Sequence, residues 1–302
     1  MRNKYLDPLT ASDIDSQVSK LLRGLGNPVP PLKLDHVREL KKLDLQYYSS
    51  SDDSSLREFI SRMKVAGRQL VMRPRLILDV VRKLDLKALW VPDHQRILID
   101  SDQPKLKWRW SEAHEIIHSV VEWHRDLLHG DTERSLSPAC HAQIEAEANY
   151  GAGRLLFMQD LFDTFVLSSA PSFKLVQSAN KEFGNTLTSS LWRVVEALRI
   201  PALGIVSQHP RHTNADFDPL RPCKYFVRSR LFEKNFSSIT ELDAFQIVKH
   251  HCDWRSRGPV GTDEIIIADD CGQEHTFLFE AFSHKHDTLT LVTYLKPGST
   301  LV

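Results

Sequence analysis

The sequence predicts an α+β protein, with helices throughout its first part and most of its strands near the end. Apolar residues recur at helical spacing before Pro201, as at Ile14 and Val18. Two short runs of β-forming residues, 88–91 and 96–100, are separated by turn residues and predict a hairpin. Beyond Pro201, apolar β-forming runs become the dominant pattern. These three observations favour a mixture of helices and separate sheets.

Composition places the chain among ordinary globular proteins. Its 302 residues are 41% hydrophobic and 26% charged, which is too apolar for intrinsic disorder and too polar for a bundle of membrane helices. The 39 basic and 39 acidic side chains cancel, so we expect no attraction of the whole molecule to nucleic acid. No apolar run is long enough to predict a membrane-spanning helix. The first ten residues lack the apolar core of a secretory signal and the four cysteines form no CxxC pair, so we predict a cytoplasmic protein with reduced thiols.

Turn residues divide the first ninety residues into short helices. Amphipathic helices are predicted over residues 9–24, 36–43, 56–67 and 75–84. The first should end at Gly24, because glycine and then prolines follow it. Residues 47–55 are polar and predict a loop. The stretch 62–87 carries an excess of basic residues, which is typical of a solvated helix face.

The hairpin leads into two long helices, predicted over 110–128 and 138–157. Two further helices over 172–183 and 187–198, joined at Gly184, form a pair shaped like a helix-turn-helix. Any two packed helices joined by glycine give this pattern, so it is weak evidence for DNA binding.

The segment beyond Pro201 predicts a separate α+β domain. Its strands are predicted over residues 202–206, 224–227, 264–267, 276–282 and 289–295. One helix is predicted over 241–248, and a proline-containing stretch at 209–221 favours a boundary there. The whole chain is thus predicted to have an N-terminal helical region, a central core, a helix-turn-helix-like extension and a C-terminal α+β domain, at 1–67, 68–165, 166–205 and 206–302.

The predicted helix over 110–128 carries the HExxH motif as His114, Glu115 and His118. Residues four apart lie on one helix face, so both imidazoles can bind one ion while Glu115 lies beside an open coordination position. A bound zinc acidifies its water, and a neighbouring carboxylate can accept that proton and pass it to a leaving amine. Two histidines and a glutamate are costly to bury without a partner. The motif therefore predicts a zinc site with Glu115 as general base and acid.

A catalytic zinc needs a third protein ligand, and the sequence offers three candidates. Glu145 is favoured, because small residues allow its helix to approach the HExxH helix, and Asn149 one turn later can hydrogen-bond a ligand histidine from behind. Glu147, two residues after Glu145 on the same predicted helix, is the alternative, but it lies one register away from the face that carries Glu145. His124 has the spacing of the longer HExxHxxGxxH pattern, but Val121 replaces its glycine. An unbroken helix would hold His124 away from the ligand face.

These residues resemble the ImmA/IrrE family of bacterial and phage metallopeptidases. Members pair a helix of the form RxxxAHExxH with a later ExEANxxAxxLL, patterns that match residues 109–118 and 145–156. The resemblance implies that the core at 68–165 is zincin-like, that His114, His118 and Glu145 bind zinc, and that the substrate is a helix-turn-helix transcriptional repressor cleaved in a stress or mobile-element response. It also implies that the strand over 96–100 pairs with an extended substrate.

Other side chains give weaker indications of function. His141 and Tyr150 are candidates for stabilising an oxyanion, although an ordinary loop histidine is the simpler interpretation of His141. The metal-binding residue types at 250–252 and at Cys271 are irregularly spaced, which favours structural roles.

The sequence supports two hypotheses of different classes. The first is a zinc endopeptidase that makes a limited cut in a protein substrate, with a C-terminal domain that senses a signal or contacts a partner. The alternative is a non-proteolytic regulatory protein with a structural metal, which binds a repressor or DNA through the stretch 62–87 and the helices over 172–198. Neutral net charge argues against direct nucleic-acid binding, and no membrane partner is expected.

Overall fold

The computed structural model describes residues 2–49, 88–91, 95–124, 138–284 and 287–298. Helices and sheets are both present, which confirms the predicted α+β class. The helices predicted over 56–67 and 75–84, and the basic stretch 62–87, lie outside the described residues.

The chain divides into two compact units. The N-terminal unit is Leu6–Gln159, and the C-terminal unit combines Met1–Tyr5 with Asp160–Val302. The finer division into four regions stays a prediction. Within the part of the chain that the structure describes, no helix is both long and apolar enough to cross a membrane.

Two helices begin the N-terminal unit. α1 is Pro8–Gly24, and its first turn is capped by Asp7, whose carboxylate accepts a hydrogen bond from the Leu9 backbone N–H at 2.9 Å. This confirms the helix predicted over 9–24. α2 is Leu34–Lys41, two residues earlier than predicted, and it ends where Lys42 adopts a left-handed backbone conformation with φ 55°.

A three-stranded sheet follows, made of β1 (Asp44–Tyr48), β2 (Ala88–Val91) and β3 (Arg96–Asp100). The antiparallel pairing of β2 with β3 confirms the predicted hairpin. The loop predicted at 47–55 is wrong at its start, because β1 runs to Tyr48 and pairs in parallel with β3. That pairing joins residues far apart in sequence, so no local pattern indicates it.

The middle position of β3 in the sheet corrects one expectation. The strand order is β1, β3, β2, so both hydrogen-bonding edges of β3 are already paired within the protein. The expectation that an extended substrate pairs with the strand at 96–100 is therefore wrong. Ile97, Leu98 and Ile99 are buried, so β3 is the central strand of the sheet and contributes to the core of the N-terminal unit.

Two helices complete the N-terminal unit, α3 at Lys105–Val120 and α4 at Pro138–Leu156. The first was predicted over 110–128 and is wrong at both ends. It begins directly after Pro104 and stops because Val121 is extended, with φ −77° and ψ 111°. β-Branched valine tolerates this conformation well, and burial of the Val121 side chain stabilises it there.

α4 packs closely against α3 and α1, at Gly151. A methyl group added to Gly151 would lie 2.7 Å from Ile117 Cγ2 and 3.1 Å from Ile14 Cγ2. The glycine is thus required by close helix packing rather than by a turn. This approach brings the first half of α4 against the end of α3.

The C-terminal unit begins with three helices, α5 (Asp160–Leu167), α6 (Phe173–Phe183) and α7 (Leu187–Ala197). α6 and α7 are the pair predicted at 172–183 and 187–198, and Gly184 between them has the left-handed conformation, with φ 64°. One face of α7 packs on the sheet of this unit, burying among others Leu191 and Val194.

The remaining elements are an antiparallel sheet and two helices. They are β4 (Ala202–Gln208), β5 (Cys223–Arg228), α8 (Arg230–Asn235), α9 (Glu241–His251), β6 (Gly258–Ala268), β7 (Glu274–His284) and β8 (Asp287–Pro297). The strand order is β5, β4, β8, β7, β6. All five predicted strands are confirmed, although β6 is far longer than 264–267. Phenylalanines dominate the core, including Phe226, Phe277 and Phe279.

The cysteines are free thiols. Burial raises the pKa of the Cys223 and Cys252 thiols to about 12, so both are inert. Cys271 is exposed.

Candidate metal centre

The HExxH histidines lie one turn apart on the same face of α3. Their Nε2 atoms are 3.1 Å apart, and their rings meet edge to face with centroids at 4.7 Å. Two ring nitrogens therefore point at the same place. His118 is buried, and the His114 side chain is 13% exposed, so the site is partly open to solvent.

Glu145 on α4 completes the group. Its Oε2 lies 3.2 Å from His114 Nε2, and its Oε1 lies 3.6 Å from His118 Nε2. All three ligand atoms lie within 4.8 Å of one another. Within the described parts of the chain, this is the one group of three or more such residues with that spacing. The structure thus brings together the three residues that the sequence indicated as candidate ligands.

The charges at the site favour a cation. Burial alone lowers the pKa of His114, but the hydrogen bond that His114 donates to Glu145 and the charges of Glu115 and Glu145 outweigh it and raise that pKa. Burial alone raises the pKa of Glu145, but the hydrogen bond from His114 and the electrostatic interaction with both histidines outweigh it and hold that pKa well below its usual range. The site therefore attracts positive charge, from a proton or from a metal ion.

The donor set fits a divalent metal. Two convergent imidazole nitrogens and one carboxylate, with one side accessible, are the ligand types and number of catalytic zinc sites. When both imidazoles present a lone pair across this 3.1 Å distance, the two nitrogens repel unless something positive lies between them. A metal ion would satisfy both nitrogens and Glu145 together.

Glu115 is buried on α3, next to His114 in sequence. Its charge is among the causes that raise the pKa of His114, so the carboxylate lies within electrostatic reach of the ligands. Asn149 lies beside the same histidine: its side chain hydrogen-bonds His114, and its Nδ2 donates to the Glu145 backbone carbonyl at 2.8 Å. This position is the one that the sequence indicated for Asn149.

Two arginines hold α3 in place. Arg109, the arginine of the RxxxAHExxH pattern, donates through Nη2 to the backbone carbonyl of Leu32 at 2.8 Å. Arg38 of α2 donates to the Glu112 carboxylate at 2.7 Å, and both side chains are mostly buried. These contacts hold α3 against α2 and the Leu32 backbone, so the first residue of the pattern supports the helix.

His124 lies closer to the site than the sequence argument predicted, and Glu147 contacts it. The sequence argument kept His124 away from the site on an unbroken helix, but the chain turns back at Val121. His124 Nδ1 therefore lies 3.1 Å from His118 Nδ1, and His124 is fully buried. Glu147, the alternative ligand, is instead 2.9 Å from His124 Nε2. The paired valines at 120 and 121 were the available signal for this break.

One candidate oxyanion donor, Tyr150, hydrogen-bonds to α1. The Tyr150 hydroxyl donates to Asp15 of α1 at 3.1 Å, and Arg154 Nε donates to the same carboxylate at 2.7 Å. Tyr150 thus joins α4 to α1. The side chain of His141 lies outside the described part of the structure.

Comparisons with known proteins give one relative and one structural neighbour. No family model matches the chain. It is 27% identical over 112 residues to the radiation response metalloprotease IrrE of Deinococcus deserti, which is 37% of this chain and 40% of that protein. It therefore spans well under half of the relative it matches. A transcriptional regulator of Mycobacterium tuberculosis has a similar fold, with a TM-score of 0.51 and 12% identity over 93% of this chain and 76% of the other.

These findings suggest a metalloprotease relationship and a shared fold. The distant match to IrrE suggests a metalloprotease, and the His114, His118 and Glu145 group could hold a metal ion. The fold neighbour, at its low identity, describes architecture alone.

Proposed function

We propose that this chain is a zinc-dependent endopeptidase with a zincin-like core. The observation that carries the proposal is the convergence of His114, His118 and Glu145 on one point, with Glu115 beside them. The match to the metalloprotease IrrE supports it. A purely structural zinc site would be closed by four protein ligands, whereas three ligands with one accessible side leave room for water and substrate.

His114, His118 and Glu145 would hold the metal. The chemistry that zinc supplies when bound is polarisation of a carbonyl group and acidification of a water molecule. Glu115 accepts the proton of the attacking water and returns it to the leaving amine. Its burial keeps the carboxylate out of bulk water, and Asn149 holds the ring of His114 in position.

The proposed substrate is a helix-turn-helix transcriptional repressor in the cytoplasm, cut once or a few times in a stress or mobile-element response. The similarity to IrrE, a radiation response metalloprotease, supports a role in stress. The C-terminal unit is proposed to sense a signal or contact a partner.

The test combines metal analysis with a search for cut proteins. Glu115→Gln should keep one zinc per chain yet slow cleavage by about 10²–10⁴-fold, because it loses the general base but no ligand. His118→Ala should lose zinc. New protein N-termini, measured by mass spectrometry in cells that express the wild type or Glu115→Gln, identify the substrate. Full zinc occupancy in His118→Ala would overturn the ligand assignment.

The second candidate is a non-proteolytic regulator with a structural metal. The helix-turn-helix-shaped pair α6 and α7 favours it. Glu115→Gln separates the two, because a regulator of this kind would keep its full biological activity in that variant.

A further inference from the structure

A chain of hydrogen-bonding side chains lies behind His118, on the ring nitrogen opposite the metal-facing one. His118 Nδ1 is 3.1 Å from His124 Nδ1, and His124 Nε2 is 2.9 Å from Glu147 Oε2. We propose that Glu147 and His124 are positioning residues that fix the tautomer and ring orientation of the metal ligand His118. This inference rests on the metal site of the proposed function but not on proteolysis.

Hydrogen-bond chemistry fixes the direction of donation in this series, from His118 through His124 to Glu147, which we call the relay. Glu147 Oε2 accepts from Trp123 Nε1 at 2.7 Å, and Glu147 Oε1 accepts from Gln143 Nε2 at 2.8 Å. An indole N–H can only donate, so Oε2 is an acceptor, and an ionised carboxylate has no proton to give. His124 Nε2 must therefore carry the proton that it shares with Glu147.

The same direction of hydrogen-bond donation continues through both imidazole rings. A neutral imidazole has one donor and one acceptor nitrogen. With Nε2 of His124 donating, its Nδ1 accepts, and the proton between the two histidines belongs to Nδ1 of His118. Nε2 of His118 is then left with a free lone pair, on the side where Glu145 and His114 lie. That is the tautomer that binds a metal ion.

Burial strengthens the hydrogen bonds of the relay. His124 is fully buried and Glu147 is 5% exposed, so water does not compete for their hydrogen bonds. The turn after α3 holds His124 in place, because its backbone N–H donates to the Val121 carbonyl at 3.1 Å. α4 thereby contacts both nitrogens of His118, directly through Glu145 and indirectly through Glu147.

The test measures zinc affinity and tautomer in the purified full-length chain. His124→Phe keeps the ring volume and removes both nitrogens, so zinc binding should weaken by about 10–100-fold in a chelator competition. Glu147→Met should act similarly. Glu147→Gln can keep an acceptor oxygen toward His124 and should retain most of the affinity. His36→Phe, an exposed change on α2, is the matched control and should bind zinc as the wild type does.

The tautomer supplies a readout independent of metal and activity. Long-range ¹H–¹⁵N spectra of the metal-free wild type should show His118 protonated on Nδ1, and His124→Phe should shift it toward the Nε2-protonated form. A wild-type His118 protonated on Nε2 overturns the relay, and so does His124→Phe that folds normally and binds zinc within threefold of wild type.

Three further outcomes distinguish failure of the relay from failure of the proposed peptidase function. If His124→Phe does not fold, the comparison of Glu147→Gln with Glu147→Met decides, and equal zinc affinities would count against the relay. A protein with the expected affinities and tautomer that cuts no protein refutes the peptidase and leaves the relay standing. A wild type that binds no zinc refutes both.

Discussion

The two units differ in what their interiors are made of. The N-terminal unit buries a chain of polar groups, with His118, His124 and Glu147 hydrogen-bonded in series. The core of the C-terminal unit is aromatic: Phe232, Phe236 and Phe277 have ring centroids 5.0–6.0 Å apart. Buried polar chains add orientation more than stability, whereas buried aromatic surface adds stability. Substitutions in the two units should therefore have different consequences.

The largest effect on stability is expected in the aromatic core. Phe277→Ala removes a fully buried ring and should lower the free energy of unfolding by about 3–5 kcal/mol, measured by urea denaturation. Zinc affinity of the folded protein should not change, because Phe277 belongs to the other unit. Ile266→Ala on the neighbouring strand β6, at a side chain 65% exposed, is the control and should cost at most about 0.5 kcal/mol. A loss of zinc affinity in the folded Phe277→Ala protein would refute the prediction that the two units respond independently.

A smaller effect is expected where α4 meets α3. Gly151→Ala places a methyl group 2.7 Å from Ile117 Cγ2, and such overpacking costs about 1–3 kcal/mol. In an open helix the same change would stabilise by about 0.5–1 kcal/mol, so the sign of the effect is diagnostic. Zinc affinity should also fall, because α4 carries Glu145.

Combining Gly151→Ala with Ile117→Ala provides the control. Removing the Ile117 side chain makes room for the new methyl group, so the loss in the double variant should be smaller than the sum of the single losses. Strict additivity, or a gain in stability from Gly151→Ala alone, would contradict the packing argument.

The smallest effect is electrostatic and lies at the surface of the C-terminal unit. The Asp270 carboxylate accepts hydrogen bonds from the Ser237 and Ser238 backbone N–H groups, both at 2.9 Å, and these hold its pKa well below the usual range. A carboxyl whose pKa is lower in the folded state stabilises above its unfolded pKa of about 4 and loses that contribution as pH falls. Asp270→Asn should therefore melt below the wild type at pH 7, and the difference should shrink as pH falls below about 4. A difference that grows in acid would contradict this sign.

Local patterns were sufficient to predict the elements and the ligands. The i, i+4 spacing of His114 and His118 sets their common face wherever the helix lies, and the close approach of α4 is visible in its small residues, Gly151 among them. The hairpin and the five strands of the C-terminal unit were likewise predicted, because turn residues and β-forming runs act over a few residues.

Pairings between distant residues could not be predicted in this way. The end of β1, Tyr47 and Tyr48, was predicted as part of a loop, since this segment forms a strand only through parallel pairing with β3. That pairing also removes β3 as a substrate-binding edge. The end of α3 was placed eight residues too late, because an extended Val121 is favoured by burial rather than by local propensity.

The sequence by itself determined which residues can hold a metal, because helix geometry is set by backbone hydrogen bonds four residues apart. Only the tertiary structure determined which side chains hydrogen-bond to those residues on the side away from the metal. His124 and Glu147 are 23 residues apart and meet because the chain turns at Val121 and α4 packs against α3. Their contact depends on the summed packing of the whole unit, which is a nonlocal free energy that no spacing rule contains.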